Sequence, residues 1–134
     1  MSQSTANPAV ADRSVVMLFD QAAEGLEQAR LAGTAAERFA CARLAALRAA
    51  AAVLATRAEP ARRSGRARSR PRSVWVLLAD VAPELGEWSG FFAVCAGARV
   101  ITTRDADDML RQTQQFLGLA RAAAVLRPQA RRRH

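Results

Sequence analysis

Residues 61–73 read ARRSGRARSRPRS, and six of the thirteen are arginine with no acid among them. A planar guanidinium offers paired donors that match a phosphate. A run of them can hold a polyanion by releasing its counterions, without reading sequence. The same run also has a plain physical use, because like charges keep a flexible connection open and solvated. A second cluster, Arg131, Arg132 and Arg133, stands at the C-terminus. The sites expected to touch nucleic acid are therefore Arg62, Arg63, Arg66, Arg68, Arg70 and Arg72 with Arg131, Arg132 and Arg133.

Other chemistry is thinly represented. Proton transfer needs a base held within hydrogen-bond reach, and the single histidine is His134, the last residue. Asp105, Asp107 and Asp108 cluster, but they fall in the first turn of an expected helix, where the dipole favours negative charge. No histidine or second acidic group completes a metal shell, so no metal and no cofactor is expected. No glycine-rich phosphate loop is present. Cys41 and Cys95 lie in apolar stretches and are expected as reduced, buried thiols.

The charge is unevenly spread. Residues 57–72 hold seven arginines and one glutamate, a net of +6, and the four arginines after position 126 add +4. The rest of the chain has nine arginines and eleven acids, a net of −2. A nearly neutral body carries its basicity on one connection and one terminus. Every basic residue except the histidine is arginine, which together with the abundant alanine also fits a codon bias.

The elements that must position these groups are helices. The 134 residues suffice for one core, aromatics are 5%, and alanine is the best helix former. A first helix should start near Asn7–Pro8 or Asp12 and end at Gly33, a candidate left-handed cap. Its stripe is Val15, Leu18, Phe19, Ala22, Leu26 and Ala29. A second starts with the capping box Thr34 and Glu37 and presents Ala40, Leu44, Leu47, Ala51 and Leu54 as its core line. Residues 58–72, with Pro60, Gly65 and Pro71, read as a long flexible loop. A third helix, capped by Ser73, carries Val74, Leu78, Val81, Leu85, Trp88 and Phe92, and Pro83 should break or kink it. Its aromatics are expected in the core. A fourth starts with Thr102 and Asp105 and presents Ala106, Leu110, Thr113, Leu117, Ala120 and Ala124.

These stripes predict an all-α fold, an antiparallel four-helix bundle with a long Arg-rich connection between its second and third helices. The expected organisation is a disordered 1–11, a helical domain over 12–126 and a basic disordered tail over 127–134. The N-terminal MSQSTANPAVADRS has no basic and apolar leader pattern, and the longest uncharged run, 88–98, is too short for a bilayer. No membrane partner and a cytoplasmic location are expected.

The stretch ERFACARLAALRAAAAVLATRA resembles the long second helix of HEPN domains, small prokaryotic helical bundles. SVWVLLADVAPELGEWSGFF and TTRDADDMLRQTQQFL resemble the second half of an actinobacterial HEPN family, so the likeness covers about residues 12–120. Many HEPN proteins are metal-independent RNases acting as dimers through an R-x4–6-H pair, and others bind nucleotides or serve as partner modules. On this chain Arg38 matches the motif arginine, and Arg43 stands where the histidine would fall. Arginine keeps its proton near neutral pH and cannot be the base. Arg127 and His134 have the R-x6-H spacing but follow the expected last helix. Arg43 sits about 60° from the centre of the second helix's apolar line. It either pairs with an acid on the first or last helix or contacts a phosphate.

The reading is a non-catalytic HEPN-like module that binds RNA, another polyanion or a nucleotide. The alternatives are a weak metal-independent RNase working as a homodimer, and a module for protein contacts alone.

Overall fold

The computed structural model describes residues 8–57, 73–95 and 100–126, and all of its regular structure is helical. The elements are α1 (Pro8–Leu31), α2 (Ala35–Arg57), α3 (Val74–Val81), a 3-10 turn (Pro83–Leu85), α4 (Gly86–Val94) and α5 (Thr103–Leu126). The flexible loop expected over 58–72 and the tail over 127–134 lie outside the described residues, as do residues 1–7.

α1 starts at Pro8, the earlier of the two expected starts. Proline suits a first helical position because its φ is preset and its missing N–H has no partner there anyway. α1 ends without the left-handed cap expected at Gly33, whose φ lies outside the left-handed region. The Ala32 N–H instead donates to the Ala29 carbonyl at 3.2 Å, a tightened last turn. The short link then delivers Thr34, whose hydroxyl accepts from the Glu37 N–H at 3.1 Å and opens α2.

α2 is the central helix, packed against α1, α3 and α5. Its core face differs from the expected line. Phe39, Ala42, Ala45, Ala46, Ala49, Ala50, Ala52 and Val53 are buried. Ala40 and Leu44 are exposed, and Leu47, Ala51 and Leu54 are half-buried. The expected line therefore looks away from the centre of the core. The reason is steric: the alanine face admits neighbouring helices closely. A Cβ built on Gly25 of α1 would lie 3.3 Å from the Ala45 Cβ. α2 is also long and apolar enough, by length and composition only, to cross a bilayer. Its arginines hid this from a search for uncharged runs. In this fold its alanine face builds the core.

The directions of the long helices follow from their contacts. Arg38 near the start of α2 meets Asp107 near the start of α5. Arg57 at the end of α2 meets the Ala123 carbonyl near the end of α5. The two helices run parallel, side by side, with their C-terminal ends together.

Between them in sequence, Pro83 does more than bend a helix. Trp75 and Phe92 stack with ring centroids 4.8 Å apart. On one straight helix, residues that far apart in sequence would stand about 26 Å apart at 1.5 Å per residue. α3 and α4 therefore double back on each other through the 3-10 turn. Ser73 caps α3, its hydroxyl accepting from the Trp75 and Val76 N–H groups. Phe116 of α5 lies edge-on to Phe92 at 5.1 Å and to Trp75 at 6.0 Å. The aromatics thus close the core between this hairpin and α5. Thr102 and Asp105 complete a reciprocal box at the start of α5, with both bonds at 3.0 Å.

Candidate functional site

The chemistry on the described residues gathers along α2, which carries Arg38, Arg43, Arg48 and Arg57 and no acid after Glu37. Arg38 follows the capping turn, so its side chain reaches back over the end of α1. Its Nε donates to the Ala29 carbonyl at 3.2 Å and its Nη2 to the Ala32 carbonyl at 3.4 Å. Its Nη1 donates to Asp107 Oδ1 at 2.8 Å. The last carbonyls of a helix lack intrahelical donors, so Arg38 satisfies the end of α1 while tying it to α5. All three nitrogens are engaged.

Arg57 does the same at the other end, more deeply. Its side chain is 8% exposed. Nη1 and Nη2 grip Glu84 at 3.2 and 2.7 Å, a bidentate pair. The same nitrogens donate to the Val81 carbonyl and the Ala123 carbonyl, each at 3.1 Å. Arg57 thus holds the ends of α2, α3 and α5 and the 3-10 turn. The hydrogen bonds from Arg57 lower the Glu84 pKa, against an opposing desolvation. Sequence reasoning counted Arg57 with the basic cluster. The available signal was its separation from the other arginines by Glu59 and Pro60, at the last turn of a helix, where a cation meets the unsatisfied carbonyls.

Arg43 lies between these two and does neither job. The expected acid partner is not there: among the described residues no carboxylate pairs with Arg43. Its Nε is buried without an acceptor, as is that of Arg57. The reason is its position on α2. Arg43 stands at the edge of the buried face, between it and the outward leucine line.

The remaining expected sites divide between the described residues and the rest. Arg62, Arg63, Arg66, Arg68, Arg70, Arg72, Arg131, Arg132 and Arg133, with His134, lie outside the described residues. Asp105 caps α5, Asp107 holds Arg38, and Asp108 pairs with Arg111, so this cluster serves the helix end. No metal-ligating group of three occurs among the described residues. Cys41 and Cys95 are half-buried rather than buried, Cys41 at the margin of the core face of α2 and Cys95 just past the end of α4.

The model of a HEPN family, described as SAV_6107-like HEPN, matches residues 29–121 of this chain. The chain belongs to that HEPN family. The match takes in α2 through most of α5 and only the last residues of α1, so it starts later than the resemblance expected from residue 12. Searches of curated proteins and of solved structures gave no match. Arg38, which the resemblance matched to a motif arginine, is here a brace between helices, and Arg43 has no carboxylate partner among the described residues.

Proposed function

We propose that this HEPN-family chain is a binding module that holds RNA or another polyanion through its two arginine clusters. The observation that supports this most is the meeting of the C-terminal ends of α2 and α5, where Arg57 Nη2 donates to the Ala123 carbonyl at 3.1 Å. Residues 58–72 follow the first of these ends in the chain, and residues 127–134 follow the second. Two runs of net positive charge therefore leave one end of a body whose own net charge is −2. A single phosphate backbone crossing that end can meet both. The finer architecture behind this reading is a HEPN-like four-helix bundle in which the α3–α4 hairpin fills one helix position.

Catalysis is no part of the reading. A general base must give up and regain a proton, and an arginine at position 43 keeps its own. Arg38 has its donors committed to Ala29, Ala32 and Asp107. Arg43 retains the capacity to contact a phosphate or a nucleotide.

The test is a fluorescence titration with single-stranded RNA at two salt concentrations, using wild type and a chain lacking residues 61–72. Binding should fall steeply with salt, show little sequence preference, and weaken at least about tenfold in the deletion, since several phosphate contacts are lost. Equal, salt-insensitive binding by both proteins would sink the proposal. Metal-free RNA cleavage that disappears in Arg38→Ala would replace it with the nuclease reading, which requires a dimer.

A further inference from the structure

The outward face of α2 has the pattern of a helix seat. Ala40, Leu44, Leu47, Ala51 and Leu54 recur at steps of four, three, four and three, the spacing by which one helix packs along another. Ala40 is exposed, Leu44 is 44% exposed, and the other three are half-buried. α1, α3 and α5 pack mainly on the opposite, alanine-rich side, although Leu47 also packs against the core.

The rim of this face carries two arginines. Arg43 precedes Leu44 on one edge, and Arg48 follows Leu47 on the other. Neither pairs with a carboxylate among the described residues. From Arg38 to Ala58 there is no acidic residue at all.

We infer that this face seats an amphipathic helix of a different protein, one whose apolar stripe is flanked by aspartate or glutamate. Charge selects this occupant over a second copy. In heptad terms Leu44 and Ala51 are a positions, with Ala40, Leu47 and Leu54 at d. Arg43 is then a g residue and Arg48 an e residue. A parallel pair sets g against e of the partner helix, so Arg43 would meet Arg48 of the second copy. An antiparallel pair sets g against g and e against e, again arginine against arginine. Like charges placed so oppose association, whereas an acidic flank pairs with both arginines. Nucleic acid fits poorly too, since aliphatic leucines give bases no stacking platform. The face runs along the flank of α2 and includes neither arginine cluster, so this inference stands apart from polyanion binding.

The experiment places the photoreactive residue p-benzoylphenylalanine at position 44 of the full-length protein in the cells that make it. A control carries the probe at Glu24, on the exposed side of α1. The adduct is sequenced by mass spectrometry. The expected result is a crosslink from position 44 to another protein, within a segment whose apolar residues recur every three to four positions and whose flanks are acidic. Arg43→Glu should cut the adduct yield at least about tenfold, while Arg43→Lys keeps most of it, because a buried charge pair loses its partner only in the first. Arg48→Glu, with its melting curve compared to wild type, gives the same reading should Arg43→Glu fail to fold. Any of four results overturns the inference: a crosslink to a second copy, a crosslink to RNA, a partner segment without acids, or a yield at position 44 no greater than at position 24. Full yield in both charge reversals also overturns it.

Discussion

The two long faces of α2 are both apolar, and the one with the smaller side chains became the core. The buried side is Ala42, Ala45, Ala46 and Ala49 with their neighbours, all fully buried. The side left outward carries Leu44, Leu47 and Leu54. Hydrophobicity per residue favours the leucines. Packing favours the alanines, because two helices can come against α2 with backbone close to backbone, as Gly25 does opposite Ala45. Close approach raises the number of dispersion contacts made by every atom in the interface. When a helix has two candidate faces in phase with its period, the shape of its neighbours decides which goes in.

The sharpest way to break this comparison is to enlarge the small face. Ala45→Leu adds bulk at a fully buried position whose opposing surface is the backbone of Gly25. Nothing there can move aside without separating α1 from α2. The expected cost is about 3 kcal/mol, the upper end for overpacking a core, read from urea denaturation. A cost near zero would mean that the alanine face is loosely packed and that the steric account is wrong.

The ends of α2 give the second contrast, since each is closed by an arginine but to different depths. Arg57→Ala removes a nearly buried guanidinium from Glu84 and from the Val81 and Ala123 carbonyls. It should cost about 2 kcal/mol, in the range for charged hydrogen bonds whose loss strands buried groups. Arg38 is 25% exposed and its partner Asp107 is 50% exposed. Arg38→Ala should therefore cost less, about 1 kcal/mol, most of it from the Ala29 and Ala32 carbonyls rather than from the screened ion pair. The reverse order in thermal melts would show that Arg38 is the principal brace.

Much of this was legible in the residues. Thr34, Ser73, Thr102 and Asp105 announced their helix starts because a cap is a local device, written within four residues. The stripe of α1 was legible because Asp20, Glu24 and Glu27 mark its other side and leave one apolar face. α2 has no such marker: its alanines populate every face, and periodicity chose the larger side chains. The reversal at Pro83 was out of reach for another reason. An apolar stripe that stays in phase across a proline looks the same whether the chain continues or folds back, and only the Trp75–Phe92 stack distinguishes them. The HEPN resemblance pointed to Arg38 and Arg43, but what each touches depends on long-range neighbours that spacing does not encode.

Acidification sharpens the comparison of the two ends. The bonds from Arg57 hold the Glu84 pKa below the ordinary carboxylate range. A carboxylate whose folded pKa is lowered contributes stability that is present above its unfolded pKa. That contribution is lost as pH falls through the lowered folded value. The gap in melting temperature between wild type and Glu84→Gln should therefore be open at neutral pH and close on acidification below the usual carboxylate range. Because the Glu84 side chain is 51% exposed, the gap is modest and narrows with salt. A gap that stays constant with pH would show that glutamine holds Arg57 as well as the charge does.

The smallest expected effect is on the leucine face. Leu44→Ser removes an apolar side chain that is already 44% exposed and sits opposite the core. For the isolated protein the change should stay within about 0.5 kcal/mol, as for a surface position without special contacts. That near-neutrality is informative because the neighbouring alanine side tolerates so little. A helix that can lose Leu44 from one face but cannot accept a leucine at position 45 is not using Leu44 to fold. If Leu44→Ser instead destabilised the chain as strongly as Ala45→Leu, the leucine face would belong to the core, and no surface would be left there for a partner.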